Sequence, residues 1–229
     1  MTDLLAGPGV PDTPVVPATD PGNALPDPRA IQRVQRIRKA VLLVAILAVI
    51  GLSLATAPVL TGTTAHTIIL GAGVIALVVA IVGRAWCSLY IGGRKKSEIV
   101  QLGPYSVSRN PLYVFSFLGA FGMGAQTGSL ILAGLFTAIA MAVFLATVQR
   151  EEAWLLGTFG EDYRHYRAST PRFWPRWSGW RDKPALTVAP EYFLTTLRDG
   201  SAMLLALPLF WGITALHQSN LLATAFRLI

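Results

Sequence analysis

The sequence is poor in the residues that build disulfide frameworks and metal centres. It has one cysteine, Cys87, and three histidines, His66, His165 and His217, among 229 residues. A single cysteine excludes an intrachain disulfide and a metal site made of several cysteines. Because the histidines show neither HxxxH nor HExxH spacing, the sequence predicts no metal site.

Charged residues are also scarce. They form 14% of the chain, against 53% hydrophobic residues, whereas a soluble domain carries about 25% charge. Together with a mean hydropathy of +0.52 and several long apolar runs, this composition indicates an integral membrane protein. The net charge of +7 would suggest a nucleic-acid partner in a soluble protein. Here all basic residues except Arg227 fall in segments predicted to share one membrane side, so they indicate topology and headgroup contact instead.

The N-terminal part is polar and rich in proline. Residues 1–28 contain seven prolines and no apolar periodicity, which predicts a disordered tail. A basic start followed by an apolar core is missing, so the tail does not read as a signal peptide. Basic residues between 29 and 39 then precede an apolar run, which predicts a cytoplasmic N-terminus and a single transmembrane domain over residues 29–229.

The apolar runs predict an all-α membrane fold with about five transmembrane helices. Helices three and four form a hairpin, followed by a long cytoplasmic segment for binding a cofactor. Five crossings from a cytoplasmic N-terminus place the C-terminus outside. The predicted helices are 40–60, 67–82 with an interfacial continuation to residue 90, 111–125, 129–148 and 201–216, and the cytoplasmic segment covers about 149–198.

The hairpin brings two polar stretches, 103–113 and 150–166, to the same membrane face. Arg109 offers a planar fork that can hold a carboxylate. Glu151 and Glu152 lie at the membrane boundary, where ionisable groups are commonly paired or functional. An anchoring arginine and a salt bridge that closes the hairpin are the simpler alternatives, and the residues alone leave them open.

Aromatic side chains surround these charges. At this depth they form an interface belt, and they can also stack on a purine or face a cation. Arginine, acids and aromatics together suit an amino-acid nucleoside such as S-adenosylmethionine, although the residues alone do not single it out. These aromatic residues are Tyr105, Tyr113, Trp154, Phe159, Tyr163 and Tyr166.

Four features follow one another along the sequence: GPYxxxRNPLY, a membrane hairpin, REExxLxxxFGxxYxxY and PRFWP. In this order they resemble the superfamily of isoprenylcysteine carboxyl methyltransferases and phospholipid methyltransferases. The resemblance covers about residues 84–176 and implies a membrane enzyme that uses S-adenosylmethionine. Asn110 stands where histidine is usual, and asparagine can hydrogen-bond but cannot act as a base. By position, the resemblance implies Arg109, Glu151 and Glu152 as catalytic residues, and Tyr105, Arg109, Asn110, Pro111, Tyr113, Glu152, Phe159, Tyr163, Tyr166 and Arg172 as cofactor-binding residues.

The resemblance predicts methyl transfer to an amphiphilic, membrane-embedded acceptor, either an isoprenylcysteine carboxylate or a lipid amine. An amine must first lose a proton, which a glutamate could accept, whereas a carboxylate needs no base. Two alternatives stay open: an NADPH-dependent membrane reductase related to sterol reductases, and a non-catalytic lipid-binding protein. The expected location is the inner or plasma membrane in a bacterium or the endoplasmic reticulum in a eukaryote, and the oligomeric state is undetermined.

Overall fold

The computed structural model describes residues 40, 43–44, 46–58, 60–94, 97–219, 221 and 226–228. The predicted tail at 1–28 and the basic segment at 29–39 lie outside these residues. The described part is built almost wholly from helices, which confirms the predicted class. The helices are α1 (Ile46–Ala55), α2 (Thr64–Ile91), α3 (Pro104–Val107), α4 (Pro111–Ala125), α5 (Leu130–Ser169), α6 (Pro190–Ser201) and α7 (Ala206–Gln218).

Several of these helices suit a bilayer. Within the described ranges, three stretches are long and apolar enough to cross a membrane: Thr64–Ile91, Leu130–Ser169 and Pro190–Gln218. The last combines α6, a 3-10 turn at Ala202–Leu205 and α7. Helices α1 and α4 are shorter apolar helices. Large apolar side chains on α2, such as Ile75 and Val82, are exposed, as expected for a surface that faces lipid.

The first two helices differ from their predicted bounds. Helix α1 ends at Ala55 rather than near residue 60, because Thr56–Pro58 forms a short strand, β1. Helix α2 begins three residues earlier than predicted because Thr63 caps it, its side chain accepting a hydrogen bond from the His66 backbone N–H at 3.2 Å. Such a cap satisfies one of the free N–H groups at a helix start.

One helix of the hairpin has its predicted bounds, and the other extends further than predicted. Helix α4 occupies the predicted range and starts at Pro111, whose missing N–H is tolerated there. Helix α5 does not end at residue 148. Its first part, residues 130–159, spans roughly 45 Å, which already exceeds a hydrocarbon layer of about 30 Å, and a second part continues after a kink to Ser169. Gly160 makes the kink with φ 52° and ψ −119°, whereas Gly157 stays helical. The second half of α5 therefore carries its residues past the membrane boundary.

Close helix packing fixes the position of the hairpin against α2. A Cβ atom at Gly122 would lie 2.8 Å from the Gly73 carbonyl oxygen, and one at Gly83 would lie 2.3 Å from the Phe115 ring. Small residues at such contacts let helix backbones approach closely in a membrane. Helix α6 packs on the same helix, where a Cβ at Gly200 would meet Ile81 at 3.4 Å.

A short parallel strand pair joins distant parts of the chain. β1 pairs with β2 (Phe226–Leu228), so that Thr56 is opposite Phe226. The residues just after α1 and those near the C-terminus therefore lie at the same end of the helices.

Candidate functional site

Glu152 is the centre of a charged cluster at the end of the hairpin opposite its turn. Its carboxylate accepts hydrogen bonds from the Arg109 Nε at 3.2 Å and from the Arg172 Nη2 at 2.7 Å. The Asn110 side-chain amide adds a third donor at 3.1 Å. Arg109, Asn110, Glu152 and Arg172 form what we call the Glu152 cluster. Arg109 and Glu152 keep only 8% of their side chains exposed, so this pair is well shielded from water.

Arg109 also fixes the chain that leaves α5. Its Nη1 donates to the carbonyl oxygens of Arg167 and Thr170, both at 2.8 Å, and its backbone N–H donates to the Pro171 carbonyl oxygen at 2.8 Å. One guanidinium thus binds a carboxylate and two carbonyls at once, which its fork of donors allows. The segment 167–172 is held against the loop before α4.

Arg172 joins the cluster from the segment after α5. Its carbonyl oxygen accepts hydrogen bonds from Ser108 Oγ and Asn110 Nδ2, both at 3.3 Å. Its guanidinium lies on Glu152, with the side chain 35% exposed. The hydrogen bond to Glu152 raises the pKa of Arg172 above its ordinary value, so this side chain carries its charge at every physiological pH.

Glu151 points to a different neighbour. The Tyr113 hydroxyl donates to its carboxylate at 3.1 Å. The Tyr113 ring lies 5.3 Å from the Phe144 ring, and Phe117 lies 6.2 Å from Phe144. Glu151 therefore meets the aromatic contact between α4 and α5, while Glu152 binds the arginines.

A set of buried tyrosines connects the second half of α5 to α3. The Tyr166 hydroxyl donates to the Tyr105 carbonyl oxygen at 2.7 Å, and its ring lies 6.1 Å from that of Tyr163. All three side chains are buried. Burial raises the pKa of Tyr105 well above its ordinary value, so its phenol remains protonated.

An open cleft of about 650 Å³ lies beside these tyrosines, a volume within the usual range for small-molecule sites. Three chain segments form it: the loop before α3, the last turns of α5, and the segment near residue 181. Its lining residues are Ser97, Glu98, Ile99, Gln101, Phe159, Asp162, His165, Tyr166, Ser169 and Arg181.

The structure divides the predicted site residues into groups. Arg109, Asn110, Glu152 and Arg172 bond to one another, Tyr113 bonds to Glu151, and Tyr105 bonds to Tyr166. Of the predicted cofactor residues, Phe159 and Tyr166 line the cleft. Pro111 begins α4 beneath the cluster, and Tyr163 packs behind Tyr166.

Several cleft residues were missing from the sequence prediction. Asp162, His165, Tyr166 and Ser169 recur at helical spacing, and such residues share one helix face. That periodicity was the signal that could have identified Asp162 and His165. Glu98 and Arg181 come from distant segments, and no local pattern marks them.

A helical hairpin with a charged cluster and a cleft at one end defines the protein as an all-α integral membrane protein with a polar site at the membrane boundary. Residues 65–162 match the family model for phospholipid methyltransferases. The chain is also 30% identical over 90 residues to the Protein-S-isoprenylcysteine O-methyltransferase of Schizosaccharomyces pombe, covering 39% of this chain and 38% of that protein. These two matches confirm the predicted resemblance to this superfamily of membrane methyltransferases.

Two further relatives carry other names. The chain is 41% identical over 131 residues to the nickel-cobalt-cadmium resistance protein NccN of Alcaligenes xylosoxydans xylosoxydans, covering 57% of this chain and 61% of that one. It is 37% identical over 138 residues to the cobalt-zinc-cadmium resistance protein CzcN of Cupriavidus metallidurans, covering 60% and 63%. The chain thus spans less than two thirds of the length of these relatives. No solved structure gives a significant match.

The names of these two relatives direct attention to metal ligands. In the part of the chain that the structure describes, no three His, Cys, Asp or Glu side chains lie close enough together to hold a metal ion. Cys87 is buried between helices, and the described histidines, His66, His165 and His217, lie in separate places along the fold.

Proposed function

We propose that this protein is an S-adenosylmethionine-dependent methyltransferase whose acceptor is an amphiphile embedded in the membrane. The observation that carries the proposal is the position of the cleft. Its lining residue Ser169 directly precedes Thr170, whose carbonyl oxygen accepts from Arg109 of the Glu152 cluster. The cleft is thus linked to the end of a membrane hairpin, where a water-soluble donor and a lipid-borne acceptor can meet. The resemblance to the superfamily supports the same reaction class.

The side chains of the cleft suit S-adenosylmethionine. Phe159 and Tyr166 provide flat surfaces for an adenine ring. The carboxylates of Glu98 and Asp162 can accept hydrogen bonds from an ammonium or from ribose hydroxyls, and the Arg181 guanidinium can hold a carboxylate. When bound, this cofactor supplies a methyl group on a positively charged sulfur, which is open to nucleophilic attack.

The Glu152 cluster acts as the frame of the cleft. Arg109 and Glu152 hold the residues 167–172 that follow the cleft wall, and Tyr166 ties that wall to α3. We place Tyr105, Asn110, Pro111, Tyr163 and Arg172 in the same frame. Arg109 could hold the methionine carboxylate of the cofactor only if its Nη1 gave up the hydrogen bonds to the carbonyl oxygens of Arg167 and Thr170.

Glu151 and Tyr113 belong to the acceptor side. They meet the aromatic contact of Tyr113, Phe117 and Phe144 between α4 and α5, which offers an apolar route from the bilayer. For a lipid amine, Glu151 would accept the proton that the nucleophile loses. For an isoprenylcysteine carboxylate, Glu151 and Tyr113 would only position the head group. Catalysis would then consist mainly of alignment, because the two reacting atoms must approach to about 3–3.5 Å.

The basic residues on the inner loops support a site that opens to the cytoplasm. This orientation follows from charge distribution, with the N-terminus inside and the C-terminus outside. The membrane would be the inner or plasma membrane of a bacterium or the endoplasmic reticulum of a eukaryote.

The test is transfer of labelled methyl from S-adenosylmethionine into a membrane lipid extract. The wild type should label the organic phase. Arg109→Ala should lose at least about 90% of that label because the wall of the cleft is released. Arg164→Gln is the matched control, since Arg164 pairs with the exposed Glu161 and surface pairs contribute little.

Binding measurements separate the competing functions. Binding of S-adenosylmethionine with no binding of NADPH supports the methyltransferase over a reductase. Binding of NADPH alone would overturn the proposal in favour of the reductase, and binding of neither would favour a non-catalytic protein.

A further inference from the structure

Arg84 is a cation at the contact between three helices, outside every site assigned above. It lies on α2 and donates from Nη1 to Ser116 Oγ on α4 at 2.5 Å. Its Nε is buried and has no hydrogen-bond partner within the described residues. An arginine presents Nε and a terminal nitrogen as a fork that matches a carboxylate or phosphate, and at Arg84 one prong of that fork is unused.

The acidic residue that acts on Arg84 neutralises its guanidinium only weakly. Asp199 on α6 exerts a favourable electrostatic effect on the guanidinium. However, Asp199 has 60% of its side chain exposed and contacts Arg198 at 3.6 Å. Among the described salt bridges none involves Arg84. A charged side chain inside a membrane protein is expensive unless it is paired, and it commonly marks a functional position.

Arg84 lies next to the acceptor side of the proposed site. Its partner Ser116 is about one helical turn beyond Tyr113 on α4. Tyr113 in turn donates to Glu151. Arg84 is therefore held about one helical turn along α4 from the Tyr113–Glu151 contact, which we assigned to the acceptor side.

We propose that Arg84 binds the anionic head group of the acceptor, a carboxylate or a phosphate, and thereby selects against acceptors that carry only an ammonium group. This inference rests on the proposed function. The unused Nε supplies the second hydrogen bond of a bidentate contact, and Ser116 holds the guanidinium in place. In a site of low dielectric, the same charge repels an ammonium strongly.

The test compares three tritiated probes with one chain length: hexadecanoate, hexadecyl phosphate and hexadecylamine. Binding is measured at pH 8 on purified protein in uncharged detergent, without the methyl donor. The wild type should bind the better anionic probe roughly tenfold more tightly than the amine. Tighter binding of hexadecanoate indicates a carboxylate acceptor, and tighter binding of hexadecyl phosphate indicates a phospholipid head group.

Three variants make the result specific to Arg84. Arg84→Gln should lose the preference for anionic probes, while Arg84→Lys should still bind anionic probes more tightly than the amine because the positive charge remains. Ser116→Ala should retain most of the preference, since only the anchoring hydrogen bond is removed. If Arg84→Gln does not fold, the lysine variant still tests the fork, because anion binding should weaken while the preference survives.

Some outcomes would overturn the inference. Equal binding of amine and anions by the wild type would do so, and so would an unchanged preference in Arg84→Gln. If Arg84 merely pairs with Asp199, then Arg84→Gln and Asp199→Asn should lower the melting temperature equally without changing probe preference. The probes are tested without the methyl donor, so a negative result refutes the role of Arg84 and leaves the proposed methyltransferase function standing. Conversely, a wild type that prefers anionic probes but does not bind S-adenosylmethionine refutes the proposed methyltransferase function and leaves the role of Arg84 standing.

Discussion

Asn110 and Glu152 are hydrogen-bonded across 42 residues of sequence, with the asparagine amide 3.1 Å from the carboxylate. The same amide reaches the Arg172 carbonyl oxygen at 3.3 Å. Both contacts use the side chain as a donor. Asparagine can therefore occupy a position where the resembling family usually has histidine, because a donor is what the Glu152 cluster requires there.

Asn110→Asp should destabilise the protein and weaken binding of S-adenosylmethionine. The change removes both hydrogen bonds and places a second negative charge beside Glu152, at a cost of about 1–3 kcal/mol. Asn110→His should be better tolerated, since an imidazole N–H can still donate to the carboxylate. Thermal unfolding in detergent measures both variants. An aspartate variant that melts with the wild type would show that the cluster does not need this donor.

Glu152→Gln should lower stability by about 3–5 kcal/mol, because it leaves two arginines without their carboxylate. Arg109→Gln should be more damaging than Arg172→Gln, since Arg109 is less exposed and also binds two carbonyl oxygens. Denaturant unfolding should give a lower free energy of unfolding for Arg109→Gln than for Arg172→Gln, and Arg164→Gln should be close to the wild type. A larger effect from Arg172 would reverse the roles that the structure gives to these two arginines.

Gly160→Ala should disturb the cleft although its side chain would meet empty space. At φ 52° and ψ −119° an alanine is strained by about 1–3 kcal/mol. Relief by straightening the helix would move Tyr163 and Tyr166. We expect weaker binding of S-adenosylmethionine in an equilibrium titration. Gly157→Ala is the matched control: it also has open space but is helical, so it should be neutral or stabilise by about 0.5–1 kcal/mol.

Tyr166→Phe and Tyr113→Phe should affect different substrates. Loss of the Tyr166 hydroxyl leaves the Tyr105 carbonyl oxygen without that donor, which should cost about 1 kcal/mol and weaken donor binding. Loss of the Tyr113 hydroxyl removes its hydrogen bond to Glu151 and should raise the KM for the lipid acceptor while donor affinity stays unchanged. Steady-state kinetics with each substrate varied in turn distinguishes the two. Identical effects on both substrates would argue against separate donor and acceptor sides.

The hairpin could be predicted because its signals are local. Pro111 marks the start of α4, the glycines and Thr127 mark its turn, and apolar length sets its span. The extension of α5 could not be read from apolar length, since residues 149–169 are too polar to look like a membrane helix. They nevertheless remain helical because the tertiary contacts of Glu152, Tyr163 and Tyr166 override local composition.

The candidate site was only partly visible for the same reason. Arg109 and Glu152 were predicted to face each other, and a closing salt bridge was one of the alternatives that the sequence left open. The second arginine on Glu152, Arg172, depends on how the chain turns back after Ser169. Arg181 reaches the cleft because its carbonyl oxygen accepts from the Gly103 backbone N–H at 2.8 Å, a contact with no sequence signature. Arg84 looked like a residue of an interfacial helix, and only the packing of α4 and α6 reveals its enclosed Nε.

The pairing of β1 with β2 requires an even number of helical passages between these two strands. Between these strands the chain passes along α2, α4, α5 and the α6–α7 stretch, an even number of passages, before it returns to the same end. The Glu152 cluster lies at the other end. A reporter fused after β2 should therefore lie in the compartment opposite to one inserted near Glu161. Labelling the two with a reagent that cannot cross membranes would show which way the protein faces without any assay of activity.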